Sequence, residues 1–251
     1  MILIDYLNEK INKSKNTIKN ILKSGNVYVN GKSITKYDYE LKENDLVEIR
    51  NSYNNIDIIY EDKDIIVVNK PHNLLTVSTL KEKEKTLFHI MSEYVKKSNK
   101  NNKIFIVHRL DKDTSGLIVL AKSMKVKENL QKNWDSTIRE YVAIVEGKTK
   151  DKDIIKSYIK DDLNKPKLAI TEYNKIKENE SYTMLNINIK TGRKNQIRIH
   201  MKEMGNPILG DTKFGHKSNR MYLHAYRLRI NDKYDFKIDI PFSFKKIVKK
   251  G

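Results

Sequence analysis

Apolar residues at the start of the chain recur every three or four positions, over 2–11 and again over 18–22. This spacing places them on one face of a helix, so the sequence predicts two short amphipathic helices. Ser14 suits the N-cap of the second helix, and Gly25 suits its end.

An alternating pattern follows the two predicted helices. Asn30 and Gly31 stand between alternating apolar residues, which is a strong signal for a tight β-hairpin. The apolar positions within 46–49 predict a strand that closes a small sheet. Residues 1–50 are therefore predicted to form a small domain of two helices and a hairpin.

Short apolar runs of strand length predominate in the rest of the chain. The polar, turn-prone segment N-S-Y-N-N at 51–55 predicts a linker, and 56–251 a second, larger domain. One helical pattern, T-L-F-H-I-M-S-E-Y-V, occupies 86–95. Strand patterns occupy I-D-I-I-Y (56–60), D-I-I-V-V-N-K-P (64–71), E-Y-V-A-I-V-E-G (140–147), Y-T-M-L-N-I-N-I-K (182–190) and L-H-A-Y-R-L-R-I (223–230).

Composition indicates the kind of partner. The 251 residues carry a formal net charge of +18, which attracts polyanions and makes nucleic acid the expected partner. A basic amphipathic helix with aromatic anchors, which would favour a membrane surface, is not evident. The absence of cysteine excludes disulfides, thiolate chemistry and cysteine-ligated zinc. The N-terminus lacks the pattern of a signal peptide, so the expected location is the cytoplasm.

The small domain contains a long basic stretch. Residues 10–37 include seven lysines and no acid. Lys15, Lys19 and Lys23 lie four positions apart, on one face of the second predicted helix. Such a row suits RNA phosphates, although each lysine taken alone is better explained as part of a solvated helix face.

One carboxylate of the larger domain stands among cations. In V-H-R-L-D-K-D-T-S-G-L-I-V-L-A-K at 107–122, Asp111 comes shortly after His108 and Arg109 and is followed at once by Lys112. A structural salt bridge, a metal ligand and a catalytic group are the three explanations to be weighed.

A metal site and two other chemistries fit the sequence poorly. Asp111 and Asp113 form a D-x-D pair that could bind a divalent cation. Arg109 and Lys112 would repel such a cation, and no dense acidic cluster supports it. An S-x-x-K motif at 78–81 lacks the correctly ordered partners of a penicillin-recognising serine enzyme, and no G-x-x-x-x-G-K phosphate loop is present. The sequence thus predicts no metal and no cofactor.

A carboxylate that acts as a nucleophile in an RNA-binding cleft fits better. It can attack carbon only while ionised, and burial against a base disfavours ionisation. A nearby cation is therefore needed, ideally an arginine whose rigid fork grips the carboxylate. From Lys190 to Lys202 there are five Lys or Arg residues and no acid, so a partner for Asp111 can come from this segment.

The segment H-R-L-D-K-D-T-S-G-L-I-V-L-A-K-S closely resembles the signature of the RluA-type pseudouridine synthases. Further motifs stand in that family's order: I-I-V-V-N-K-P upstream, R-E-Y-V-A-I-V-E-G, T-G-R-K-N-Q-I-R-I-H-M, G-N-P-I-L-G-D-T-K-F-G and L-H-A-Y-R-L. This resemblance covers roughly residues 56–240. Residues 1–50, with two helices before V-Y-V-N-G-K, resemble the small RNA-binding module (alpha-L motif) first known from a small-subunit ribosomal protein.

The resemblance implies that uridine in RNA is isomerised to pseudouridine. By motif position, Asp111 would be the catalytic aspartate and Arg198 would pair with it and keep it charged. Tyr141 would stack on the uracil and assist proton removal at carbon 5. Arg109 would occupy the stack vacated by the flipped uridine, and Leu223 would pack against the base.

Other motif positions have smaller expected roles. His108 is expected to be a hydrogen-bonded structural residue, and residues 114–116 to shape the turn that presents Asp111. The chain departs from the family's usual pattern at Asn195, where His is usual, and at Phe214, where Tyr is common. These departures remove no catalytic role but bear on the choice of RNA.

The expected fold is α+β. It comprises a pseudouridine synthase catalytic domain with a mixed, mostly antiparallel sheet and a small N-terminal α/β-hairpin RNA-binding domain. The expected activity is that of an RNA pseudouridine synthase, with large-subunit ribosomal RNA favoured and transfer RNA as the other substrate. The alternative is an inactive RNA-binding assembly protein, although the joint presence of Asp111, Tyr141 and Arg198 argues against it. A monomer without membrane attachment is expected.

Overall fold

The chain divides into two compact units, Met1–Ile56 and Asp57–Gly251. The structure, a computed structural model, describes residues 1–11, 18–19, 21–22, 27–49, 56–79 and 86–249. The predicted linker 51–55 lies outside these described residues. Within the described ranges, no helix is both long enough and apolar enough to cross a membrane.

Two helical segments of the first unit bury their apolar faces together. Helix α1 spans Leu3–Ile11, which confirms the first predicted helix. Residues 18–19 and 21–22 are also helical, whereas Ser14 and Gly25, the predicted ends of that helix, lie outside the described residues. The buried core of this unit consists of Leu3, Ile4, Leu7, Ile18, Leu22, Val27 and Val29.

A three-stranded antiparallel sheet completes the described part of the first unit. Its strands are β1 (Val27–Val29), β2 (Lys32–Ser33) and β3 (Val47–Ile49), in the order β2-β1-β3. Asn30 and Gly31 form the β1–β2 turn with φ values of 49° and 76°, as a type I′ turn requires. The Asn30 side chain also accepts the Leu46 N–H at 2.9 Å, which links the turn to the closing strand. The predicted hairpin and strand are confirmed.

The second unit is built on a large mixed sheet. Its strands are β4 (Asp57–Glu61), β5 (Ile65–Lys70), β6 (Phe105–Ile106), β7 (Ser115–Ala121), β8 (Ile138–Glu146), β9 (Lys152–Lys160), β10 (Pro166–Glu178), β11 (Tyr182–Ile189), β12 (Leu223–Arg229) and β13 (Asp235–Lys237). The order is β4-β5-β7-β12-β8-β11-β10-β9, with β6 on β7 and β13 on β12. Among the described pairings β7 with β12 is parallel and the others are antiparallel, which confirms the predicted α+β fold.

Helices lie between these strands in the chain. They are α2 (Leu87–Ser98), α3 (Met124–Lys132), a 3₁₀ helix (Trp134–Ser136), α4 (Gln196–Glu203) and α5 (Phe242–Ile247). Thr86 caps α2 by accepting the His89 N–H at 3.1 Å, and α2 confirms the helical pattern at 86–95. One core of the unit joins buried residues of β5, β7 and β12.

Gly116 in β7 lies closer to β12 than a side chain would allow. It has a φ of 119°, and a Cβ built at this position would lie 2.2 Å from the carbonyl oxygen of Ala225. Because the obstacle is backbone, it cannot rotate away as a side chain would. We therefore expect Gly116→Ala to lower the free energy of unfolding by at least about 3 kcal/mol, measured by denaturant titration.

Gly205 provides the matched control for this prediction. It also has a positive φ, 83°, but a Cβ built there would meet open space. Gly205→Ala is expected to cost only the conformational strain, about 1–2 kcal/mol. Equal losses for Gly116→Ala and Gly205→Ala would show that the close approach of the strands is unimportant.

Candidate active site

Asp111 lies in the turn that leads into β7. The Thr114 N–H donates to the Asp111 carbonyl oxygen at 3.2 Å and closes this turn. Lys70 at the end of β5 is fully buried and donates to three backbone carbonyls, one of which is that of Lys112 at 3.1 Å. The ammonium group of Lys70 thus ties the turn beside Asp111 to the neighbouring strand.

Arg198 in α4 reaches the Asp111 carboxylate across 87 positions of sequence. Its Nη1 atom donates to Oδ2 of Asp111 at 3.0 Å. The same nitrogen donates to Oδ1 of Asn195 at 2.9 Å, at the start of the helix. The structure therefore brings together Asp111 and Arg198, the two residues that were expected to pair from their positions in the motifs.

A second carboxylate, Asp211, binds the other edge of the Arg198 guanidinium. Nε donates to Oδ2 at 2.7 Å and Nη2 to Oδ1 at 2.8 Å, which is a bidentate pair. The Asp211 side chain is fully buried and also accepts the backbone N–H groups of Lys213 and Phe214. Burial by itself would raise the pKa of Asp211, but the hydrogen bonds from Arg198 and these amides lower it.

Both departures from the family pattern contact Arg198. The Phe214 ring centroid lies 5.2 Å from the guanidinium carbon, a cation–π contact, and Asn195 accepts a hydrogen bond from it. Burial alone would lower the pKa of Arg198, but the hydrogen bonds to Asp211 and Asp111 outweigh it and raise this pKa. The guanidinium is therefore a fixed positive charge beside Asp111.

Helix α4 is anchored at its first residue. Asn195, which precedes it, has a left-handed conformation with φ 56°. Gln196 is buried, and its side chain donates to the Ile170 carbonyl at 3.0 Å and accepts the Arg193 N–H at 3.0 Å. These bonds fix the start of the helix against β10 and so fix the position of Arg198.

Tyr141 lies in the middle of β8 with its side chain buried. It pairs with Ala225 of β12 on one side and with Ile187 of β11 on the other. Burial raises the pKa of Tyr141 to about 12, with Asp111 adding to the rise and Arg139 opposing it. The phenol is therefore protonated at neutral pH.

One small cavity unites the site residues predicted in the larger domain. Its volume is about 80 Å³, and the predicted residues that line it are Arg109, Asp111, Tyr141, Arg198 and Leu223. A neighbouring cleft of about 550 Å³ shares Arg109, Asp111 and Tyr141 with the cavity. The cleft can therefore hold an extended polymer, and the small cavity can hold one group inserted from that polymer.

The predicted RNA contacts of the first unit are only partly described. Lys19 has its Nζ atom 5.3 Å from the ring centroid of Tyr37. Lys15 and Lys23 lie outside the described residues.

His108 has a structural place beside the cleft. Its Nε2 atom accepts the Val119 N–H at 3.2 Å, and its ring centroid lies 4.6 Å from that of Trp134. Burial lowers the pKa of His108 to about 3, so the imidazole is neutral at physiological pH. In the ranges that the structure describes, no cluster of three or more His, Asp or Glu side chains could hold a metal ion.

Sequence reasoning missed Asp211 and Gln196 as residues that position Arg198. Both stand inside segments that carried the family resemblance, Asp211 in G-N-P-I-L-G-D-T-K-F-G and Gln196 in T-G-R-K-N-Q-I-R-I-H-M. The available signal was an acid in a basic chain and an amide two positions before the arginine.

Comparison with known proteins assigns the chain to a family. The profile described as RNA pseudouridylate synthase matches residues 64–203, which is more than half of the chain. The chain belongs to this family. A second profile, the S4 domain, matches residues 3–47 of this pseudouridine synthase.

Individual relatives of this pseudouridine synthase agree with the assignment. It is 33% identical over 246 residues to ribosomal large subunit pseudouridine synthase D of Borreliella burgdorferi, covering 89% of this chain and 75% of that protein. An uncharacterized RNA pseudouridine synthase of Aquifex aeolicus is 33% identical over 233 residues, covering 82% of this chain and 74% of that protein. The solved structure of human RNA pseudouridylate synthase domain containing 4 has the same fold, with a TM-score of 0.64, 22% identity and coverage of 75% and 90%.

The family assignment confirms the resemblance to RluA-type pseudouridine synthases and the N-terminal RNA-binding module. This synthase is an isomerase that converts uridine to pseudouridine in RNA. Its substrate and partner is RNA, as its charge of +18 suggests.

Proposed function

We propose that this synthase isomerises uridine in large-subunit ribosomal RNA, with Asp111 as its catalytic group and without a cofactor. The observation that carries the proposal is the 3.0 Å contact between Arg198 and Asp111 at a cavity that Tyr141 also lines. The name of the Borreliella burgdorferi relative and the S4 domain support ribosomal RNA as the substrate class. An enzyme of ribosomal RNA would work in the cytoplasm.

The target uridine must leave its stack before the chemistry can begin. A stacked base hides its glycosidic bond, so the nucleotide is flipped into the cavity, and Arg109 fills the vacated space. The uracil then stacks on Tyr141 and packs against Leu223, both of which line the cavity. With the base in this position, the ribose lies next to Asp111.

Asp111 starts the reaction at the ribose. Its carboxylate either adds to carbon 1′ or removes a sugar proton to give a glycal, and in both courses the bond from carbon 1′ to uracil nitrogen 1 breaks. The freed uracil turns and its carbon 5 bonds to carbon 1′. In the first course this bond displaces the Asp111 carboxylate from carbon 1′, and in the glycal course the removed proton returns to the sugar. The proton on carbon 5 is then lost, and nitrogen 1 takes up a proton. Arg198 binds Oδ2 of Asp111, so Oδ1 is the oxygen left for the substrate. The two hydrogen bonds that Arg198 donates to Asp211 keep the arginine in place while the Asp111 carboxylate reacts.

The first unit is proposed to hold the RNA. Residues 1–50 would act as an RNA-binding domain joined through 51–55 to the catalytic domain 56–251, in a monomeric enzyme. The row of Lys15, Lys19 and Lys23 would contribute phosphate contacts.

The substrate assignment is tested by mapping pseudouridines in total RNA from cells with and without the protein. We expect specific sites in large-subunit ribosomal RNA to lose the modification and to regain it when the intact gene is restored. Loss confined to transfer RNA would replace the proposed substrate, and an unchanged map would contradict the proposed function.

Tyr141→Phe separates stacking from the action of the hydroxyl. Because the ring is retained, we expect RNA affinity to stay within about twofold. Turnover should fall about 100-fold, because the hydroxyl that assists proton removal from carbon 5 is gone. Since the pKa of Tyr141 is about 12, wild-type turnover should show no inflection from this group near neutral pH. Wild-type turnover in Tyr141→Phe would show that the hydroxyl takes no part.

A further inference from the structure

Arg139 is a buried cation that forms no hydrogen bond or ion pair with another residue that the structure describes. It lies on β8 two positions before Tyr141, hence on the same face of the sheet, and it is 5% exposed. Its Nε and Nη2 atoms are shielded from solvent and donate to no partner among the described residues. Burial lowers the pKa of Arg139, yet an arginine stays protonated at neutral pH. An uncompensated buried charge reduces folding stability, so its presence calls for an explanation.

Neither His108 nor Asp135, two titratable side chains described near Arg139, forms an ion pair with it. His108 is neutral, and its pKa is lowered by burial and by the charge of Arg139. Asp135 acts on Arg139 through space, but no ion pair joins these two residues in the described structure. Gly192 has no side chain, and a Cβ built there would lie 3.0 Å from Nη1 of Arg139. The glycine thus leaves room beside the guanidinium.

The cleft that Arg139 lines favours an anion. Asp111 is the one acid among the described lining residues, and Arg198 already binds its carboxylate. The basic residues that line the same cleft of about 550 Å³ are Arg109, Lys112, Arg139, Arg193 and Lys194. Such an excess of positive charge in a concave surface attracts a negatively charged ligand.

We propose that Arg139 binds a backbone phosphate of the RNA, at a linkage next to the uridine that stacks on Tyr141. This proposal rests on the proposed function, since it takes the flipped uridine as the occupant of the cavity. The planar guanidinium fork matches two phosphate oxygens, whereas uracil carries no anionic group. Residues two apart on a strand lie about 6.6 Å apart, so a base on Tyr141 brings its own sugar–phosphate linkage within reach of Arg139.

Arg139→Met is expected to stabilise the free protein and to weaken its binding to RNA. Methionine keeps most of the aliphatic chain and removes the charge. Without RNA, we expect Tm to rise by about 2–4 °C because an unpaired buried cation is gone, while Kd for substrate RNA rises about tenfold or more. A merely structural arginine would give a lower Tm and an unchanged Kd.

A neutral linkage in the RNA identifies the phosphate. The probe is a short RNA that contains a uridine modified by the wild-type enzyme, made with a single methylphosphonate either just 5′ or just 3′ of that uridine. We expect the wild type to lose about tenfold in affinity for one of these two RNAs. Arg139→Met should bind that RNA and the unmodified RNA equally well, because the partner of the phosphate is already absent.

Arg229→Met is the matched control. Arg229 on β12 pairs with Asp232 at 2.8 Å and does not line the cleft. This variant should lose affinity for the methylphosphonate RNA as the wild type does. Each methylphosphonate could instead lower the RNA affinity of Arg139→Met by the same factor as that of the wild type. Arg139 would then contact neither phosphate, and the proposal would be overturned. Turnover of the unmodified probe by the wild type tests the proposed function first. The binding comparison then tests Arg139 by itself, because it is measured apart from turnover.

Discussion

Asp111→Asn is expected to abolish pseudouridine formation, with turnover reduced by at least about 10⁴-fold. The amide has nearly the shape of the carboxylate but can neither attack carbon 1′ nor accept a sugar proton. RNA affinity should change little, because the proposed role of this side chain is chemistry and not phosphate binding. Release of tritium from carbon 5 of labelled uridine in the RNA measures turnover, and a filter-binding titration measures affinity.

Asp113→Asn is the matched control for this loss. Asp113 stands two positions along the same turn but does not line the cavity that holds Asp111. The control should keep most of the wild-type turnover. Substantial turnover by Asp111→Asn, or an equal loss in both variants, would remove Asp111 from its proposed role.

Asp211→Asn is expected to reduce both activity and stability. Replacing the buried carboxylate leaves the Arg198 guanidinium without its bidentate partner and free to turn away from Asp111. We expect the free energy of unfolding to fall by about 3 kcal/mol and turnover by about 100-fold or more. Denaturant unfolding and the tritium-release assay measure the two effects.

Two comparisons distinguish a positioning role for Asp211 from general damage. Asp235 forms a similar bidentate pair with Arg227, at 3.0 and 2.8 Å, but it is exposed on β13. Asp235→Asn should cost less than about 1 kcal/mol and leave turnover intact. Adding Asp211→Asn to Asp111→Asn should cause no further loss of residual turnover, since Asp211 acts through Arg198 on Asp111. An additional loss in the double variant would contradict this route.

Local patterns in the sequence predicted those elements whose buried and exposed faces alternate clearly. The hairpin at Asn30 and Gly31 could be predicted because a positive φ at both positions is encoded by the residue types themselves. Helix α2 could be predicted because its buried positions Leu87, Met91 and Val95 recur every four residues.

Helix α4 and the β9–β10 hairpin escaped prediction because their faces are mixed. The buried face of α4 is half polar, with Gln196 and His200 beside Ile197 and Met201. In β9, Ile154 and Tyr158 are exposed, so apolar residues occur on both faces of the strand. Periodicity then carries little information, and pairing with distant strands decides the structure.

The sequence by itself determined the expected chemistry. Through their resemblance to a known family, the motif around Asp111 and the motif that contains Tyr141 indicate a uridine isomerase, and the basic character of the chain indicates RNA as its partner. Only the tertiary structure decided how that chemistry is held in place. Arg198 reaches Asp111 across 87 positions, Asp211 binds the same arginine, and Arg139 is buried without a partner among the residues that the structure describes. The physical reason is range: periodicity and turn chemistry act over a few residues, whereas charge pairing and burial depend on which strands and helices pack together.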